Sequence, residues 1–175
     1  MADVTLYAKI LPLYEGKLGT FTDDPTDLGG CTNGGITLCT YTTYCHIHGL
    51  PIPSVDDLKN LSNEMWLNIV KTMYWDRWQA DHINNQSIAN ALVDWTFTSG
   101  SWGIRKPQSI LGLKDDGVVG QITLNAVNAA NQSNLSSQIM ASRVAFDENI
   151  VKNNPPQSKY INGWERRARS FTFQP

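Results

Sequence analysis

Along most of the chain, apolar residues return every three or four positions, the spacing that lines one face of a helix. Val4, Tyr7, Leu11 and Tyr14 form a first stripe after Asp3, a residue suited to capping, and Glu15-Gly16 closes it. Pro12 disturbs the last turns, because it lacks an N–H and its ring crowds the preceding carbonyls. A second helix is expected from a Thr37 cap to Gly49, with Tyr41, Tyr44, Cys45 and His48 on one side. Ser54-x-x-Asp57 is a helix-start signature at the end of a stiff linker. From Ser62 the pairs Met65/Trp66, Ile69/Val70 and Met73/Tyr74 mark the clearest amphipathic helix. Ile88, Ala91, Leu92, Trp95 and Ser99 predict another, ended by Gly100.

The second half reads as shorter helices joined by turns. KDDGVVG, from Lys114 to Gly120, is a turn with Gly117 where positive φ is needed. Leu135, Ile139, Ser142, Phe146 and Ile150 outline a long helix stopped by Pro155-Pro156, and Tyr160, Trp164, Ala168 and Phe171 outline the last. Only residues 16–37 break the helical rhythm. Six glycines and the turn formers Asp24-Pro25 and Asp27 predict an irregular loop or short β-hairpin there. The fold class is therefore all-α, with one small irregular or β element.

A chain of 175 residues at 41% hydrophobic content can bury one sizeable core. A net charge of -2 gives no basic footprint for nucleic acid. No apolar run approaches the roughly twenty residues of a membrane span, so no membrane insertion is expected. The N-terminal stretch lacks the basic and small-residue features of a signal peptide, which points to synthesis in the cytoplasm. Cys31, Cys39 and Cys45 are an odd count in no common zinc pattern; buried or half-buried free thiols are expected, with no metal or other cofactor.

Candidate chemistry begins with the four glutamates. Glu64 complements a helix dipole, Glu148 lies off its apolar stripe, and Glu165 precedes Arg166 and Arg167. Glu15 stands at a helix end, where the dipole disfavours an anion, and such a carboxyl tends to keep its proton as a general acid should. Downstream lie Asp23, Asp24 and Asp27, then Thr32 and Thr37. A protonated Glu facing an ionised Asp is the basic requirement for cleaving a glycosidic bond, and a threonine hydroxyl can hold the attacking water. The competing reading makes Glu15 an ordinary loop carboxylate and the aspartates turn formers. Six Trp and six Tyr supply surfaces for sugar rings. Trp66 and Trp95 read as core, whereas Tyr74, Trp75 and Trp102 suit either core or sugar contact.

YEGKLGTFTDDPTDLGGCTNGGIT, from Tyr14 to Thr37, resembles the signature of glycoside hydrolase family 108, in which E-G-G-Y precedes D-x-G-G-x-T-N-x-G-I-T. MYWDRWQAD and LVDWTFTSG are similar to the family's Y-W-D and D-x-x-x-x-S-G segments. PQSILGLKDDGVVGQITLNAV and INGWERRARSF resemble the peptidoglycan-binding region that follows the catalytic part, with Pro107 in place of a leucine. The resemblance implies a lysozyme-like fold, with a catalytic lobe over 1–88 and a helical peptidoglycan-binding lobe over 89–175 packed as one unit. It implies an N-acetylmuramidase with catalytic Glu15, Asp27 and Thr32, and Tyr74, Trp75, Asp94 and Trp102 as substrate contacts. Lys17 and Leu18 replace the second glycine and the aromatic of E-G-G-Y, and the stretch from Glu15 to Asp27 is longer than in the family pattern. That length leaves Asp23 and Asp24 as alternatives to Asp27.

The partner implied is bacterial cell-wall peptidoglycan, met by a monomer. The family includes phage endolysins, which implies action at the wall after holin-type release. Retention and inversion both remain open, because they turn on a carboxylate separation. A lytic transglycosylase using a lone Glu, and a glycan-binding phage or secretion-associated protein without activity, are the alternative readings.

Overall fold

The computed structural model describes residues 1–23 and 30–175. Two compact units divide the chain: one spans Val4–Asp76, and the other takes Arg77–Pro175 together with Met1–Asp3.

In the unit Val4–Asp76, the first apolar stripe folds as two helices, α1 (Val4–Ile10) and α2 (Pro12–Glu15). The break falls where Pro12 predicts trouble: Pro12 opens the second helix, where its missing N–H costs nothing. Buried Tyr7 and Leu11 face the core, and Tyr7 stacks on Trp75 at 6.3 Å between ring centroids. The glycine-rich stretch carries three short antiparallel strands in the order β1 (Phe21–Thr22), β2 (Thr32–Asn33) and β3 (Ile36–Thr37). Gly34 and Gly35 join β2 to β3 with φ of 54° and 77°, the two positive values that a tight two-residue hairpin requires.

Four helical segments complete this unit. α3 (Leu38–Ile47) starts from Thr37, whose hydroxyl accepts the Thr40 N–H at 3.0 Å. α4 (Val55–Lys59) opens on a reciprocal capping box between Ser54 and Asp57. α5 (Asn63–Val70) is capped by Ser62 and buries Trp66, Ile69 and Val70. It runs into a π-helical turn, Lys71–Trp75. The wider turn advances the buried face by about one residue and sends Trp75 inward.

In the second unit, α6 (Gln86–Ser99) is capped by Asn85, and every residue from Ile88 to Thr96 is buried. α7 (Trp102–Ile110), α8 (Gln121–Ala129), α9 (Gln132–Asn153) and α10 (Ile161–Ser170) follow, with a 3-10 segment at Pro155–Tyr160. α6 packs on α7 and α9, and α9 on α10. Gly103 lets α7 approach α6 very closely: a Cβ there would lie 2.3 Å from the Thr96 backbone nitrogen. The chain is thus helix-rich with one small three-stranded sheet. One expectation is corrected: Cys39 is exposed rather than buried or half-buried. In α9 the inward positions include Arg143 and Asp147, neither of which belongs to the apolar stripe.

Candidate active site

Glu15 is the last residue of α2 and is half-buried. Its side chain packs against the hairpin turn: a Cβ on Gly35 would lie 2.6 Å from the Glu15 Cγ and 3.0 Å from Oε2. Only a residue without a side chain can occupy that position beside the acid.

The hairpin is itself fixed from below. Asn33 is fully buried, and its Nδ2 donates to the carbonyls of Leu58 (2.8 Å) and Lys59 (3.1 Å) at the end of α4. Its Oδ1 accepts the Gly19 N–H at 2.7 Å, so one amide ties the loop after Glu15, the hairpin and α4 together. The Trp66 Nε1–H donates to the Gly34 carbonyl at 2.9 Å and anchors the turn to α5. Neither Asn33 nor Gly35 stands out in the sequence as a site residue. The Asn-Gly-Gly signal for a tight hairpin was the clue available.

Alternation along the strands sorts the hydroxyls. Phe21, Asn33 and Ile36 pair across one face, with Asn33 and Ile36 fully buried, while Thr22, Thr32 and Thr37 pair across the other. Thr32 Oγ1 lies 2.7 Å from Thr22 Oγ1, which leaves its hydroxyl further capacity to bind water. Thr37 Oγ1 donates to Thr40 Oγ1 at 3.1 Å, and the Tyr74 hydroxyl lies 3.4 Å from Thr40 Oγ1. Tyr74 is half-buried at the edge of this hydroxyl series. Asp23 is exposed just after β1; Asp24 and Asp27 lie outside the described residues.

The other expected substrate contacts belong to different settings. Trp75 is fully buried against Tyr7, so its faces are closed to a sugar. Asp94 is fully buried in the second unit, where Arg167 Nε and Nη2 donate to its two oxygens at 2.9 and 2.8 Å and Arg143 Nη1 donates at 2.9 Å. Burial works against its charge, but the Arg167 and Arg143 guanidiniums outweigh it and hold the carboxyl below the ordinary range. Asp94 is a bridge joining α6 to α9 and α10, not a substrate contact. Trp102 is 47% exposed at the start of α7. Among the described residues, no group of three or more His, Cys, Asp or Glu is placed to hold a metal ion.

A family model for glycosyl hydrolase 108 matches residues 10–100, and one described as a predicted peptidoglycan domain matches residues 102–169. The compact units divide earlier, after Asp76, and the boundary at 88 expected from the sequence falls between the two divisions. Among solved structures, the chain is similar to Brucella abortus SagA, with 24% identity and a TM-score of 0.74 over 98% of each chain. At that identity the likeness is one of fold. No curated protein matches the chain at a significant level.

Proposed function

The chain belongs to glycosyl hydrolase family 108, and on that premise we propose that it is an N-acetylmuramidase with Glu15 as general acid. At the coarser level it is a glycoside hydrolase, and the predicted peptidoglycan domain over 102–169 supports peptidoglycan as its substrate. In the proposed reaction, Glu15 protonates the oxygen bridging N-acetylmuramic acid to N-acetylglucosamine. As the C1–O bond breaks, positive charge develops on the N-acetylmuramic acid ring and is met by a second carboxylate, while N-acetylglucosamine leaves with the protonated oxygen. Asp27 is proposed for that role from its place in the motif. The Thr32 hydroxyl, on the strand face shared with Thr22 and Thr37, holds the water that completes hydrolysis. Tyr74 lines the substrate from the π-helical turn.

The observation that carries this reading is the approach of Glu15 to Gly35, which holds a half-buried acid against the hairpin bearing Thr32. Glu15→Gln tests it. The variant is expected to keep the circular dichroism and melting temperature of the wild type. Its release of reducing ends from purified peptidoglycan is expected to fall by about 10²–10⁴-fold. Activity close to wild type in that variant overturns the assignment. Mass spectrometry of the wild-type products separates the mechanisms: reducing muramic acid ends fit hydrolysis, and anhydro-muramyl ends would show a transglycosylase. Asp27→Asn, compared with Asp23→Asn and Asp24→Asn, identifies the second carboxylate as the one whose loss falls near that of Glu15→Gln.

A further inference from the structure

The helical unit Arg77–Pro175 carries a surface group that the hydrolytic chemistry leaves unused. Trp102 opens α7 with nearly half of its surface in solvent. Its ring rests on Phe146 of α9, with centroids 6.1 Å apart and planes tilted by 44°. Arg105 and Lys106, three and four residues further along α7, are its neighbours on the same helical face. The Arg105 guanidinium carbon lies 5.9 Å from the indole centroid and the Lys106 ammonium 5.6 Å. Neither cation is in an ion pair among the described residues.

One carboxylate of the neighbouring turn is otherwise engaged. Gly117 of the KDDGVVG turn backs onto Arg105, where a Cβ would meet its Nε at 3.3 Å. The adjacent Asp116 accepts from the Val118 N–H and from Gln108 Nε2, each at 3.0 Å. An indole with nearly half its surface in solvent, and two cations over its ring that form no ion pair among the described residues, suit a ligand that has an apolar face and carries negative charge next to it.

We propose that Trp102, Arg105 and Lys106 form an accessory peptidoglycan site: the indole covers the face of an N-acetyl sugar, and the two cations take carboxylates of the peptide stem. The proposal rests on the peptidoglycan reading above and adds to it which part of the polymer this unit recognises. A neutral glycan offers the sugar face without the charge. A general polyanion would call for a broad basic surface, and the chain's net charge is -2. Peptidoglycan joins both features in one repeating unit.

The test uses the full chain with Glu15→Gln to stop hydrolysis, cosedimented with purified sacculi and with the same sacculi stripped of stem peptides by an amidase. The parent is expected to bind intact sacculi about tenfold more tightly than stripped ones, and rising ionic strength should shrink that preference. Trp102→Ala is expected to weaken binding to both preparations. Arg105→Gln with Lys106→Gln is expected to weaken binding to intact sacculi alone and so to erase the preference. Lys106→Glu, a single surface change, provides a version in which folding is not at issue and is expected to lower the preference as well. Equal binding of both preparations by the parent overturns the proposal, as does a full preference in the charge variants or undiminished binding by Trp102→Ala. The catalytic reading fails separately: wild-type protein that releases no reducing ends from sacculi removes it while cosedimentation still reports on this site.

Discussion

Glu15 owes its position to a residue that has no side chain. The 2.6 Å separation between a notional Gly35 Cβ and Glu15 Cγ means that any substitution must move the acid or the turn. Gly35→Ala also forces an L-residue to φ of 77°, a cost of about 1 kcal/mol. The expected result is a modest drop in melting temperature with a disproportionate loss of activity, about 10²-fold, because a misplaced acid no longer meets the bridging oxygen. Reducing-end assays alongside thermal melts check this, and a loss of activity no larger than the loss of folded protein would contradict it. The helix end at Glu15 was legible in the sequence, since Gly16 follows the last residue of the first apolar stripe. Asn33 was not, because its partners at Gly19, Leu58 and Lys59 lie 14, 25 and 26 residues away. Asp94 misled for the same reason: nothing near it in sequence announces Arg143 or Arg167.

Helix boundaries were read well wherever a cap or a proline sets them. Thr37, Ser54 and Ser62 each accept the N–H that their side-chain chemistry suits, and Pro12 splits the first helix. Inward faces were read less well. A one-dimensional stripe counts charge as outward, yet α9 buries Arg143, because Asp94 on α6 and the ring of Phe171 receive it. The π-helical turn, visible in no pattern of residue types, accounts for the burial of Trp75. Gly103 gives a test at this scale. A methyl group there would collide with the backbone of Trp95 and Thr96 on α6, where no flexible side chain can give way. Gly103→Ala is expected to destabilise the fold by about 2–3 kcal/mol in denaturant unfolding. A change within about 0.5 kcal/mol would show that the two helices can separate without cost.

For the molecule as a whole, two aspartates of the helical unit pull the pH dependence of stability in opposite directions. Asp94 has its carboxyl held below the ordinary value, so its contribution is present above about pH 4 and is lost as pH falls further. Asp147 is pushed up to about 6 by burial, with Arg143 opposing and Glu165 adding to the rise. Between about pH 4 and 6 the folded chain therefore binds a proton at Asp147 that the unfolded chain has released, and stability declines as pH rises across that window. Asp147→Asn is expected to raise stability at pH 7 by about 1 kcal/mol, with the gain vanishing toward pH 4. Melting temperatures measured across this range check it, and a gain that stays constant with pH would contradict it. The helix-rich class and the family could be read from the sequence, since both rest on local periodicity and a contiguous motif. The division into units after Asp76 could not, because it depends on which helices pack together.

The Asn33 amide has a consequence for motion. Because the Gly19 N–H is held by a side chain rooted in the hairpin and in the end of α4, it can exchange with solvent only when that three-way junction opens. The deuterium uptake of one backbone amide thus becomes a clock for how often the seat of the acid comes apart. A ligand that settles beside Glu15 should slow that clock without touching Gly19.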